Sequence, residues 1–360
     1  MDLTAGGTCE GAAFQSSEDG PYERFIVEDV ICRGSSVRGA GVYLQSGGSV
    51  LRDCLIRNSE GQSEGQGRGG ALDGDRVDLI ERCAFIDNRL TPASPTSNGE
   101  VLGGGVYLSA PEIVRNSTFS GNVAQAGDGD QAGTDGGSAY GGGLHIRSAG
   151  ATSSLSSLTF VGNRALAGRG ADGFLDGEAL GGGLYVHEEH TSELTGTILT
   201  GNTVTYADGH TVQEDCYALG TLTSLGHNLA VNPDSSCVFS SFADVTGLDP
   251  GLYPVDDYGC ATPLPDGSCV PAAAIDQASW ATDWGSCDDA AVSDDARGLL
   301  RRQDILGVPN LTTDACDVGA FEARDSDGDG VTDVADLCPN DAHADQVDSD
   351  GDQVGDACDA

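Results

Sequence analysis

The chain has 360 residues, of which 57 are Asp or Glu and 17 are basic, giving a formal charge of −40. Every basic residue is Arg. So acidic a surface excludes a nucleic-acid binder, which needs cations to release counterions from phosphates, and it disfavours anionic membranes. Divalent cations are the natural partners of so many carboxylates. Gly contributes 54 residues, about twice ordinary usage, which argues against a helix-dominated fold. No apolar run approaches the ~20 residues of a spanning helix.

The 12 Cys contain no CxxC pair, so thiolate metal spacing is absent. An even, scattered set in polar loops reads as disulfides and an oxidising, extracellular compartment. The first residues, MDLTAGGTCEG, hold neither a charged n-region nor an apolar h-region. Either the start is misassigned or the chain is a fragment of a longer secreted protein, and a missing N-terminal piece is expected.

Residues 1–205 carry a repeat. A Gly cluster precedes an alternating apolar segment at Gly39–Leu44, Gly69–Leu72, Gly103–Leu108, Gly141–Ile146 and Gly181–Val186. Interleaved with it, an apolar residue precedes Asn by three at Leu55/Asn58, Phe85/Asn88, Phe119/Asn122, Phe160/Asn163 and Leu199/Asn202. The two series advance together, so they belong to one unit of solenoid length. Val-Tyr-Leu, Leu-His-Ile and Leu-Tyr-Val alternate with period two, which predicts strands. Gly permits positive φ at a corner, and Asn tolerates the same region and bonds neighbouring backbone. Stacked in register, Asn58, Asn88, Asn122, Asn163 and Asn202 are expected to form one internal amide ladder, with the Phe residues stacked inside. The fold predicted is all-β, a right-handed parallel β-helix. GGG[VL]Y with FxxN resembles the β-helix repeats of large bacterial surface proteins and of polymorphic outer-membrane proteins, over about residues 20–205. The variable segments 123–140 and 164–180 are expected on one side of the stack. Asp128, Asp130 and Asp135 are acidic candidates there, although their spacing matches no defined loop.

Residues 206–323 resemble the C-terminal part of the choice-of-anchor Q family. The carrying residues are Ser224-Leu-Gly-His-Asn-Leu229, Asp249-Pro-Gly-Leu252, Ala274-Ile-Asp276, Asp295-Ala-Arg-Gly298 with Arg301 or Arg302, and Cys316-Asp-Val-Gly-Ala-Phe-Glu322. Gln277-Ala278 departs from the family's usual apolar-Gly ending. The resemblance implies export and surface display. The segment is expected to form the last coils and a cap over an end that would otherwise be an exposed sheet edge. Cys216–Cys237 and Cys260–Cys269 are the expected pairs.

Residues 324–360 are the sharpest chemistry. Asp325, Asp327, Asp329, Asp333 and Asp336, with Gly330 at the bend and the Val331 carbonyl at position 7, follow the pattern that wraps oxygens around Ca²⁺. Asp348, Asp350, Asp352, Asp356 and Asp359, with the Val354 carbonyl, repeat it. Gln353 replaces the bend Gly, so a weaker or distorted second site is expected. No flanking EF-hand helices are evident, and Asp stands at position 12 in place of Glu. With Cys338-Pro339 and Gly355-Asp-Ala-Cys-Asp359, the tail instead resembles the thrombospondin type 3 repeat. A dockerin is the alternative, but it would lack this Cys-Pro. The resemblance implies calcium as cofactor and a Cys338–Cys358 pair.

No catalytic residues are expected. There is no Lys for lyase chemistry, no GxSxG, and Gly209-His210 and Gly226-His227 lack a following Gly. Asp256-Asp257, Asp288-Asp289 and Asp294-Asp295 read as solvated charge. The function expected is a secreted or cell-surface calcium-binding structural or adhesion protein, with cell-surface glycans or proteins as partners. A polysaccharide lyase or hydrolase is the alternative. It would be favoured by an exposed strip at Tyr43, Tyr107, His145 and Tyr185, which share one strand position.

Overall fold

A computed structural model describes residues 2–4, 8–18, 20–45, 47–94, 96–130, 133–147 and 152–359. The period-two segments are strands, and each coil contributes them to four sheets in turn. One coil runs Glu60–Ser63, Gly67–Arg68, Leu72–Asp75 and Val77–Ile86. The next runs Arg89–Pro92, Val101–Leu102, Val106–Ser109, then Ile113–Arg115 with Thr118–Ser120. Equivalent strands pair in parallel at constant register, as in Leu72 with Val106, Val106 with Leu144 and Leu144 with Leu184. Among the described residues the resulting sheets hold eight, six, seven and twelve strands. The fold is a parallel β-helix. Parallel pairing runs on past residue 205, through Leu184 with Cys216 and Ile198 with Leu229 to Leu229 with Val245. Alternation turns Leu72, Val106, Leu144 and Leu184 into the core beside Phe85, Phe119 and Phe160. These three rings stack at centroid spacings of 5.1 and 4.7 Å.

The ladder exists, with one correction. Asn88 Nδ2 donates to Asn122 Oδ1 at 3.0 Å, Asn122 to Asn163 at 2.9 Å, and Asn163 to Asn202 at 2.9 Å. Asn202 donates to the carboxylate of Asp215 at 2.8 Å, so the column ends on an acceptor. Asn58 is not in it. The strand register sets Ile56, not Leu55, beside Phe85, and the ladder position falls on buried Ser59, whose amide donates to Asn88 Oδ1. Asn58 sits one residue earlier, at an exposed corner with φ 53°, equivalent to Asp87 (φ 53°) and Gly121 (φ 65°). Asn suits either place, because it tolerates the left-handed region and also bonds backbone groups. The third Gly of the three Gly-Gly-Gly clusters explains why the two motifs advance together. A Cβ on Gly105 would lie 2.8 Å from the Asn122 carboxamide carbon, and one on Gly183 would lie 2.9 Å from that of Asn202.

Beside the ladder's end, Glu214 accepts the Gly181 amide at 2.7 Å, and burial pushes its carboxyl up to about 7. An unfolded Glu titrates near about 4.3. Between these values the folded chain holds a proton that the unfolded chain does not, so this group's contribution is lost as pH rises through about 7. Glu214→Gln should therefore flatten the fall in stability between mildly acidic and mildly alkaline pH. Urea midpoints of the two proteins across that window check this, and parallel curves would show that Glu214 does not titrate there.

Residues 250–323 depart from the expected end cap. They run back along one flank of the coils. One corner of the twelve-stranded sheet is a column of left-handed residues, Arg24, Asp53, Arg82, Asn116, Ser157, Gly196 and His227, with φ between 49° and 59°. The flank segment docks on this seam. Arg24 donates to the Pro263 carbonyl, Arg82 pairs with Asp294 at 2.9 Å, and Arg301 donates to Asn116 Oδ1 at 3.2 Å. The Gly319 amide donates to the Gly196 carbonyl, and His227 Nδ1 lies 2.8 Å from the Trp284 carbonyl. An apolar cluster seals it, with Ile198 and Leu229 of the coils against Ile275, Ile305, Val318 and Phe321. Ends of a coil stack are small, whereas this flank offers a long row of corner groups that would otherwise lack partners.

All 12 Cys are paired, as Cys9–Cys32, Cys54–Cys83, Cys216–Cys237, Cys260–Cys269, Cys287–Cys316 and Cys338–Cys358. The first two staple adjacent coils. The three pairs expected from sequence are all present.

Candidate metal centre

The tail is almost all turns, and its order comes from Asp side chains bonding the backbone. In the first loop Asp325 accepts the amides of Gly328 at 2.7 Å and Gly330 at 2.9 Å. Asp327 accepts Asp329 N–H, Asp329 accepts Val331 N–H at 2.8 Å, and Asp333 accepts both the amide and the hydroxyl of Ser326. The second loop repeats each bond. Asp348 accepts Gly351 and Gln353, Asp350 accepts Asp352, Asp352 accepts Val354, and Asp356 accepts both donors of Ser349.

These bonds engage both oxygens of Asp325 and of Asp348 but only one oxygen each of Asp327, Asp329, Asp350 and Asp352. Asp325, Asp327 and Asp329 bring carboxylate oxygens within 4.8 Å of one another, as do Asp348, Asp350 and Asp352. In the first loop Asp327 Oδ2 and Asp329 Oδ2 are shielded from solvent and have no hydrogen-bond partner. Shielded anionic oxygens facing each other are costly unless a cation lies between them. The donor set, oxygen only, fits a hard divalent ion. Partial burial, followed by the charges of Asp329, Asp336 and Asp325, holds the Asp327 carboxyl above its ordinary range. One oxygen of Asp336 is held by the Cys338 amide at 2.7 Å and by Gln346. Asp359, its counterpart, is exposed. Val331 and Val354 occupy the same place in each turn, with amides bonded to Asp329 and Asp352.

Residues 310–346 match the thrombospondin type 3 repeat family. The matched stretch contains the whole first loop and Cys338, and it ends before the second loop. Neither the curated proteins nor the solved structures gave a match to the chain. The thrombospondin type 3 repeat is a calcium-binding family, and together with the disulfides it suggests an extracellular protein.

The second loop is not distorted, as Gln353 had implied. Gln353 adopts φ 73°, close to the 94° of Gly330, and keeps the bond to Asp348 at 3.0 Å. The cost is strain, since a non-Gly residue in the left-handed region loses roughly 1–2 kcal/mol. Gln353→Gly should tighten calcium at this loop by roughly 2- to 10-fold, the range that strain implies after the added freedom of Gly is subtracted. Calorimetry resolving the two sites measures it, and unchanged or weaker binding would show the strain to be negligible.

Other sequence candidates fare differently. Asp128 accepts the Arg169 amide and Asp135 the Leu175 amide, and Thr134 donates to Asp130. Asp128 and Asp135 tie the two long loops together, Asp130 bonds within its own loop, and the three form no converging group among the described residues. Cys287 and Cys316 lie beside Asp314, but they are bonded to each other and offer no thiolate. Tyr43, Tyr107, His145 and Tyr185 do share a column, yet all are at most 3% exposed. They form no exposed stacking strip. Sequence reasoning passed over the two Trp residues, which line a cleft beside the first loop. Their rarity in the composition was the available signal.

Proposed function

We propose that the chain is a secreted or cell-surface, calcium-binding structural protein in which a non-enzymatic β-helix stalk carries a calcium-wound tail. The observation that carries this reading is the pair of loops with identical Asp-to-backbone bonding and converging spare oxygens. Asp325, Asp327, Asp329, Asp333, Asp336 and the Val331 carbonyl would hold one Ca²⁺. Asp348, Asp350, Asp352, Asp356, Asp359 and the Val354 carbonyl would hold the second. The choice-of-anchor Q resemblance supports export and display, and a role in adhesion follows from display on a rigid rod. Its signature residues support a structural use. Asp295 pairs with Arg297 at 2.6 Å, and Arg301 pairs with Glu322 at 3.2 Å, all four buried. Of the acid pairs that a hydrolase would need, Asp294 bonds Arg82, Asp288 bonds Arg302, and Asp257 bonds the Cys269 amide. The test is calcium calorimetry on the full oxidised chain after chelation. Two equivalents are expected, and an absence of heat at millimolar calcium would end the reading.

A further inference from the structure

Trp280 and Trp284 are the only tryptophans of the chain. They meet edge to face, with centroids 5.9 Å apart, in a cleft of about 370 Å³. Gln277, Val308 and Pro309 complete much of its wall, and no charged side chain lines it among the described residues. Trp284 is pinned by its Nε1, which donates to the Ala243 carbonyl at 3.0 Å. Trp280 makes no such bond and is 49% exposed. The cleft is of a size that encloses a small ligand. It is also a charge-free patch on a chain of net charge −40.

The ligand chemistry follows from these features. An anion would meet a repulsive field and no counter-charge, and a cation would find no carboxylate in the cleft. An open indole face suits the apolar C–H face of a pyranose ring, whose hydroxyls then need polar groups at the rim. Gln277 supplies one. Its Oε1 accepts the Thr332 amide at 3.2 Å, and its Nε2 has no hydrogen-bond partner among the described residues.

The same bond joins the cleft to the first calcium loop. Thr332 follows Val331, whose carbonyl stands at position 7 of that loop. Val334 packs in the apolar cluster that includes Trp284 and Val308. A Cβ on Gly330 would lie 3.3 Å from the Leu306 carbonyl, so the loop backs the wall formed by the following residues. We propose that this cleft binds an uncharged glycan segment, and that calcium in the 325–336 loop raises its affinity by fixing Gln277 and the 306–309 wall. The proposal rests on the calcium reading of that loop.

Both tryptophans report on the site, so the experiment is a fluorescence titration of the full oxidised chain. The probes are neutral hexasaccharides of cellulose, mannan, xylan and laminarin, with an oligogalacturonate and a proline-rich peptide alongside. In calcium, at least one neutral probe should give a saturable change. Chelation and Trp280→Ala should each weaken it by roughly tenfold, and Gln277→Leu should remove the calcium dependence. Saturation by the uronate or the peptide alone, by no probe, or unaltered by Trp280→Ala would overturn the glycan site. An affinity that chelation leaves unchanged would overturn the coupling. Calorimetry on the same sample separates the two readings. Calcium heat without sugar binding sinks the cleft alone, whereas no calcium heat sinks the calcium reading and the coupling with it.

Discussion

Replacing Asp325 and Asp329 together by Ala should remove one of the two calcium equivalents and leave the other. Asp325 has two tasks. Its Oδ1 accepts the amide of Gly328 and its Oδ2 that of Gly330, and the same carboxylate joins Asp327 and Asp329 in the converging group. Without metal, neighbouring carboxylates about 4 Å apart repel by roughly 1 kcal/mol per pair even in water-like dielectric. Calcium replaces that repulsion with coordination, so binding and ordering are one process. Loss of two charged ligands from one site should weaken it by at least roughly 100-fold, since ligand charge count is the main lever on affinity. Protease protection of residues 325–346 should disappear with it, while protection of the coils persists. Asp348→Ala with Asp352→Ala should remove the complementary equivalent. Two full equivalents in the first double variant would show that calcium binds elsewhere.

Much of this was legible in the chain because two features recur in step with each other. Gly clusters and FxxN segments advance together because one Gly of a cluster lies against an amide of the ladder, as Gly105, Gly143 and Gly183 do. The calcium loops were legible because ligand spacing is a local property of a short turn. What escaped was non-periodic or non-local. The left-handed seam from Arg24 to His227 is built from Arg, Asp, Asn, Ser, Gly and His, so no residue type marks it. Its partners lie far off in sequence, as Arg82 does from Asp294, and nothing local shows that residues 250–323 fold back along the flank. Asn58 misled because its corner and the ladder position beside it favour the same residue. The Trp cleft is assembled by the 277–284 and 307–309 segments, with a calcium loop behind it, and none of these signals the others.

The register of the ladder makes its Asn residues unequal in their expected effect on stability. Asn122 is fully buried and its carboxamide serves four bonds. Its Nδ2 donates to the Phe85 carbonyl at 2.8 Å and to Asn163 Oδ1, and its Oδ1 accepts the backbone and side-chain amides of Asn88. Asn122→Ala removes all four bonds away from water, although Asn163 Oδ1 keeps the residue-122 amide and Asn88 Nδ2 keeps the Ile56 carbonyl. Each buried polar group left unpaired costs roughly 1–3 kcal/mol, so a loss of at least about 4 kcal/mol is expected. Asn58→Ala removes no ladder bond. It changes only an exposed left-handed corner, where the penalty is roughly 1 kcal/mol, and Asn58→Gly should be close to neutral. Urea midpoints for the three variants decide the matter. Comparable losses from Asn122→Ala and Asn58→Ala would mean either that Asn58 shares the column or that the column contributes little. A large loss confined to Asn122 is what a continuous amide ladder from Ser59 to Asp215 requires, because an interruption at its middle leaves polar groups facing the gap from both sides.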